Sequence, residues 1–159
     1  MRLRSRVMAM VLWMAASAIP AVAQLDRVVV EAVEGDIDCL PCAVTIEMAL
    51  KQVAGVDKVA VSMSKQMVAI TFLEGASFTP KQYREAIAKA EVRVSKFHLA
   101  MRGKVEQAAD KQFFVFGKDR FLIVKSAKPL PVGVPLGVMA GVDDSAQPYR
   151  ITVDDFKPQ

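Results

Sequence analysis

The chain has 159 residues, with 21 Lys and Arg against 17 Asp and Glu, a net charge of +4 and a mean hydropathy of +0.27. That length admits one large domain or two small ones. Three of the bases, Arg2, Arg4 and Arg6, stand near the start without an acid beside them, so the remainder is near +1 with bases and acids interleaved, which excludes an electrostatic footprint for nucleic acid.

The first residues read as a targeting segment. A charged stretch is followed by the apolar run Val7 to Ala18 and by Ala21-Val22-Ala23, an A-x-A cleavage pattern before Gln24. These are the three regions of a secretory signal peptide over residues 1–23. The apolar run is short for a bilayer span of ~20 residues, so the expectation is cleavage, a periplasmic or secreted protein, and no stable membrane insertion afterwards. Export also places any thiols in an oxidising compartment.

Arg27 to Val33 is β-branched and extended, a predicted inner strand. Asp36-Ile37-Asp38-Cys39-Leu40-Pro41-Cys42-Ala43 follows and holds both cysteines of the chain. Ala43, Ile46, Leu50 and Val53 then recur at helical spacing until Gly55 stops the helix. Lys58 to Ser62 and Val68 to Phe72 predict two strands around a turn at Ser64-Lys65-Gln66. Thr79-Pro80-Lys81-Gln82 predicts a helix start, with Thr79 as cap, Pro80 at the first helical position and Gln82 reaching back as in a capping box. Tyr83, Ala86, Ile87 and Ala90 would be its buried stripe, and a further strand begins near Val92.

The order β-α-β-β-α-β is that of the ferredoxin-like split unit. In that topology the cysteine loop should share one end of the sheet with Met63 to Met67 and with Glu91-Val92. Beyond Phe97 the helical repeat is lost. Leu99 to Val105, Gln112 to Phe116, Arg120 to Lys125, Leu136 to Val142 and Tyr149 to Val153 read as five short strands, suggesting a small all-β barrel of the OB-like kind. The fold class expected is α+β. The expected domains are 24–97, ferredoxin-like, and 98–159, barrel-like, the latter serving as a spacer, docking or dimerisation module.

Two thiols two residues apart either grip one soft metal ion or cycle between dithiol and disulfide. A purely structural disulfide is the weakest explanation, because closing so short a loop gains little entropy. Cys42 should lie in the first turn of the helix and Cys39 just before it, where helix-end N–H groups and the macrodipole favour negative charge. Facing thiolates suit Cu(I), Hg(II), Zn(II) or Cd(II), and an exposed loop would let a partner's ligand attack the ion.

The flanking residues raise the specificity. Cys39-Leu40-Pro41-Cys42-Ala43-x-x-Ile46-Glu47-x-Ala49-Leu50-x-x-Val53-x-Gly55-Val56 closely resembles the heavy-metal-associated domain, a family that includes copper chaperones and the periplasmic mercury-binding protein. The resemblance continues through Val59-x-Val61, Val68 to Phe72 and the second helix, covering about Val28 to Val94. It implies that Cys39 and Cys42 are metal ligands. Where the family opens Gly-Met-Thr before the first cysteine, this chain has Asp36-Ile37-Asp38. Ile37 can replace the methionine as a buried anchor. Asp38 resembles the aspartate of zinc-pumping ATPases and would add a third, harder ligand favouring Zn(II) or Cd(II); alternatively it fastens the loop by accepting backbone N–H groups.

Met63 is expected to pack, Met67 to pack or to assist Cu(I), and His98 to have a structural or surface role. The other methionines left after the leader are too dispersed to form a metal-binding tract. No nucleophile–base pairing or carboxylate pair points to an enzyme. The reading is an exported protein that binds one soft or borderline ion, Cu(I) or Zn(II) foremost, and hands it to a metal transporter or other metal-accepting protein. Two alternatives stay open: a thiol-disulfide redox protein, for which Cys-x-Pro-Cys resembles the thioredoxin family, and a metal-sensing adaptor whose barrel binds a partner.

Overall fold

The computed structural model describes residues 22–159. The expected signal peptide therefore lies, but for its last two residues, outside the described residues. Among the described residues no helix is long and apolar enough to cross a membrane.

The elements are β1 (Gln24–Ala32), α1 (Leu40–Lys51), β2 (Val56–Ser62), β3 (Met67–Phe72), α2 (Pro80–Ala88) and β4 (Val94–Ala108), then β5 (Lys111–Phe116), β6 (Asp119–Ser126), β7 (Pro135–Asp143) and β8 (Arg150–Pro158). The first six realise the expected β-α-β-β-α-β order, with neighbours β2-β3-β1-β4 all antiparallel. Period-two alternation does the positioning. Leu25, Val28 and Val30 of β1, Val68 and Ile70 of β3, and Phe97, Leu99 and Met101 of β4 are buried together with Ile46 and Leu50 of α1 and Tyr83 and Ile87 of α2.

The five C-terminal strands pair in the order β4-β5-β6-β8-β7, and β7 pairs back onto β4, closing a circuit in which only β6–β8 is parallel. β4 is common to both sets. Its residues 97–102 bond β1 along one edge and β7 along the other. The boundary expected between residues 97 and 98 thus falls inside this strand, whose apolar alternation runs unbroken through Phe97, Leu99, Met101 and Val105. Gly103 marks a close backbone approach, since a Cβ there would lie 2.2 Å from the Val115 carbonyl oxygen.

One core serves the described chain. Phe78, ahead of α2, is its junction, with ring centroids 5.8 Å from Tyr83, 5.6 Å from Phe97, 5.9 Å from Phe121 and 5.7 Å from Tyr149. The Phe78 N–H donates to Asp119 Oδ2 at 3.0 Å, and the Arg84 guanidinium takes both Asp144 oxygens at 2.8 Å. Burial pushes the Asp119 carboxyl above its ordinary pKa, partly offset by that N–H.

The capping box at α2 is corrected by the structure. Thr79 makes no side-chain cap, its buried Oγ1 has no partner, and Gln82 stays exposed. Phe78 is drawn down into the core and Thr79 adopts φ −124°, ψ 69°; its carbonyl accepts the Tyr83 N–H as the first ordinary helical bond.

Candidate metal centre

The cysteines lie where their sequence setting predicts. α1 begins at Leu40 with Pro41 in its first turn, and Cys39 is the N-cap with extended backbone, φ −131° and ψ 143°. An N-cap side chain satisfies one of the helix's orphan N–H groups; here the Cys42 N–H donates to Cys39 Sγ at 3.0 Å. Ile46, Ala49 and Leu50 anchor the helix in the core. Its other face is left apolar and uncovered, with Leu40 69 %, Val44 47 % and Met48 62 % exposed.

The loop carrying the pair is held from two sides. Gln66, at φ 53° in the β2–β3 turn, accepts the Ile37 N–H on Oε1 at 2.9 Å, and its Nε2 donates to the Ile37 carbonyl at 3.0 Å. Ile37 itself is buried, as the anchor role requires. From the α2–β4 side, Asp36 accepts the Arg93 backbone N–H at 2.9 Å and both arms of its guanidinium at 2.8 and 2.9 Å. Those Arg93 bonds, side chain first, hold the Asp36 carboxyl below the usual carboxylate range. The three connections meet at one end of the sheet, as the topology predicts.

Asp38, Cys39 and Cys42 each bring one ligand atom within 4.8 Å of the others. Asp38 is exposed, with Oδ1 4.0 Å from Cys42 Sγ. It accepts no backbone N–H among the described residues; the loop-fastening carboxylate is Asp36, two positions upstream. Sequence reasoning missed Asp36, Gln66 and Arg93, although placing Glu91-Val92 beside the loop pointed to that neighbourhood. Cys39 and Cys42 are joined by a disulfide, with Cα atoms 5.2 Å apart, so the pair stands in its oxidised form. In the chain-entropy model a ring this short stabilises a fold by only about 2 kcal/mol.

Of the remaining candidates, His98 lies outside this group. Met63 is 38 % exposed rather than packed, because β2 ends at Ser62 and the turn carries it outward. Met67 opens β3, half-buried. His98 sits on β4 opposite Val29, its Nε2 2.7 Å from Glu31 Oε1, the structural one of the two roles expected of it.

No family model matches the chain, and no curated protein matches it. Solved structures do. The chain is similar to the CopZ metallochaperone, at 22 % identity over 43 % of this chain and 98 % of that one, with a TM-score of 0.38. It is similar to oxidized MerP from Ralstonia metallidurans CH34, at 24 % identity over 46 % and 96 %, TM-score 0.38. A copper binding domain from HMA7, a P-type ATPase, matches at 21 % identity over 45 % and 92 %, TM-score 0.38. These structural neighbours are heavy-metal-associated domains. Each gives nine-tenths or more of its own length to the match and takes up less than half of this chain.

Proposed function

We propose that this is an exported metal-binding protein that takes one soft or borderline ion on Cys39 and Cys42 and passes it by ligand exchange to a metal-accepting protein, such as a transporter. The observation that carries the reading is the convergence of Asp38, Cys39 and Cys42 within 4.8 Å at the exposed start of α1. Once reduced, two thiolates there chelate a soft ion, and the helix N-terminus stabilises their charge. The loop is fixed behind the ligands by Gln66 and Arg93 and open in front of them, so an acceptor's ligand can reach the ion. The leader-like residues 1–23 support export, and the composition offers no site for nucleic acid.

Asp38 sets the preference. A free carboxylate beside two thiolates favours Zn(II) or Cd(II) over Cu(I) and Hg(II). Titrating the reduced protein with Zn(II) and with Cu(I) tests both parts. The double change Cys39→Ser, Cys42→Ser should abolish binding of either ion, and retained affinity would overturn the reading. Asp38→Asn should weaken Zn(II) by at least about tenfold, the scale on which even outer-shell partners of metal ligands count, while leaving Cu(I) nearly unchanged.

The disulfide favours a second reading, in which the pair exchanges electrons with disulfides of other exported proteins. Turnover of a disulfide substrate, lost on either single serine change, is the result that would favour it over metal transfer.

A further inference from the structure

We propose that Asp144, in the C-terminal half, is a positioning residue for the cysteine loop. Through Arg84 it sets the α2–β4 bend from which Arg93 clamps Asp36, and so tunes how tightly the loop holds an ion. The inference rests on the metal-binding reading above and gives the strands beyond Phe97 a part in it.

The contacts form a continuous chain. Asp144 follows β7, and its side chain is only 18 % exposed. Its Oδ2 accepts Arg84 Nε and its Oδ1 accepts Arg84 Nη2, both at 2.8 Å. A bidentate carboxylate–guanidinium pair fixes orientation as well as position, and a partly buried one is screened less than a surface pair. The third nitrogen, Nη1, is thereby aimed at the Val94 carbonyl and donates to it at 3.1 Å. The guanidinium carbon stands 4.9 Å from the centroid of the Phe97 ring. Arg84 belongs to α2 and Val94 opens β4, so one side chain ties together both ends of the connection 89–93.

That connection needs holding. Glu91 sits at φ 60°, left-handed backbone that a residue with a Cβ keeps only where its surroundings fix it. On the helix side the Ala90 and Glu91 N–H groups donate to the Ile87 and Ala88 carbonyls, and Val92 is buried. On the strand side Arg84 holds Val94, and the Arg93 carbonyl accepts the Val33 N–H at 2.9 Å. Arg93, the last residue of the bend, then gives its backbone N–H and its guanidinium to Asp36, two residues before Asp38 and three before Cys39. The Arg93 side chain is 72 % exposed. An ion pair in such a place holds little by itself, so its grip depends on where the bend puts it. Freeing Arg84 from Asp144 loosens the bend, and a looser loop must be ordered when an ion binds, which lowers affinity.

The test titrates the full reduced chain with Zn(II). Asp144→Ala should weaken binding about fivefold, the scale on which residues along a packed network act on a site. Asp143→Ala removes the same charge one position earlier, where the carboxylate bonds Ser145 and lies 3.6 Å from Arg150; it should leave Zn(II) binding unchanged. In an Arg93→Ala background, Asp144→Ala should shift affinity by less than about twofold, because residues acting through one another are not additive. Amide exchange at Arg93 and Val33, measured without metal, should accelerate in Asp144→Ala while exchange at Leu50 of α1 does not. Unchanged Zn(II) affinity in Asp144→Ala, an equal loss in Asp143→Ala, or the full Asp144 effect persisting without Arg93 would each overturn the proposal. No Zn(II) uptake by the reduced wild-type chain would instead overturn the metal-binding reading itself, and the exchange rates alone would then decide whether Asp144 positions the loop.

Discussion

Phe78 offers the sharpest test of how the two strand systems are joined. The residue is 4 % exposed, and its ring meets Tyr83 and Phe97 on the side of the cysteine loop and Phe121 and Tyr149 on the other. Phe78→Ala removes a buried ring and leaves a cavity between four aromatics, which should cost about 4 kcal/mol and lower Tm by roughly 15 °C for a domain of this size. Both halves should melt together, because the lost contacts belong to both. The two tyrosines of the chain fall one on each side, Tyr83 in α2 and Tyr149 before β8. Urea unfolding of Tyr83→Phe and Tyr149→Phe backgrounds by near-ultraviolet circular dichroism therefore reports each side separately. Coincident transitions, shifted equally by Phe78→Ala, are the expected result. Two well-separated transitions, or a loss below about 1 kcal/mol, the ordinary size of a point-mutant effect, would refute a shared core.

Three further outcomes are expected. Gln66→Ala leaves the buried Ile37 N–H and carbonyl without partners, so stability should fall by about 2 kcal/mol and hydrogen exchange at the Ile37 amide should accelerate relative to the core of α1. Gly103→Ala drives a Cβ against the Val115 carbonyl, which is backbone and cannot swing aside; a loss of about 3 kcal/mol or more, read from urea midpoints, is expected, with Lys104–Val115 pairing the first to go. Asp119 has a raised carboxyl pKa in the folded state, so its contribution is fullest below the unfolded value and declines as pH rises through the folded one. The stability of Asp119→Asn relative to wild type should therefore increase with pH across the carboxylate range and level off above it. A difference that falls over the same range would contradict the burial argument.

Much of the cysteine end was legible because local chemistry dictates it. The cysteine spacing, Pro41 in the first turn and the Ile46–Leu50 stripe all act within a few residues of one another, and the structure places them as the sequence implies. The clamp on the loop was not legible. Gln66 and Arg93 act on Ile37 and Asp36 across 29 and 57 residues, and nothing in a lone glutamine or arginine announces its partner. Of two aspartates a residue apart, only packing could reveal that Asp36 ties the loop while Asp38 is left free beside the sulfurs. The strands beyond Phe97 were readable one by one from their alternation. Their joining to the first sheet was not, because one continuous strand can equally be read as the end of one unit and the start of another.

That shared strand has a practical consequence. In a free-standing β2-β3-β1-β4 sheet, β4 would be an outer strand with its N–H and carbonyl groups bare, a template on which other chains can add and aggregate. Here β7 covers that edge from Phe97 to Lys104. Cutting the chain near residue 103 to isolate the half that carries the cysteines would strip the cover and bare that strand edge. Such a fragment should precipitate or self-associate rather than behave as a miniature of the whole. On that expectation the C-terminal strands shield the β4 edge of the half that carries the cysteines.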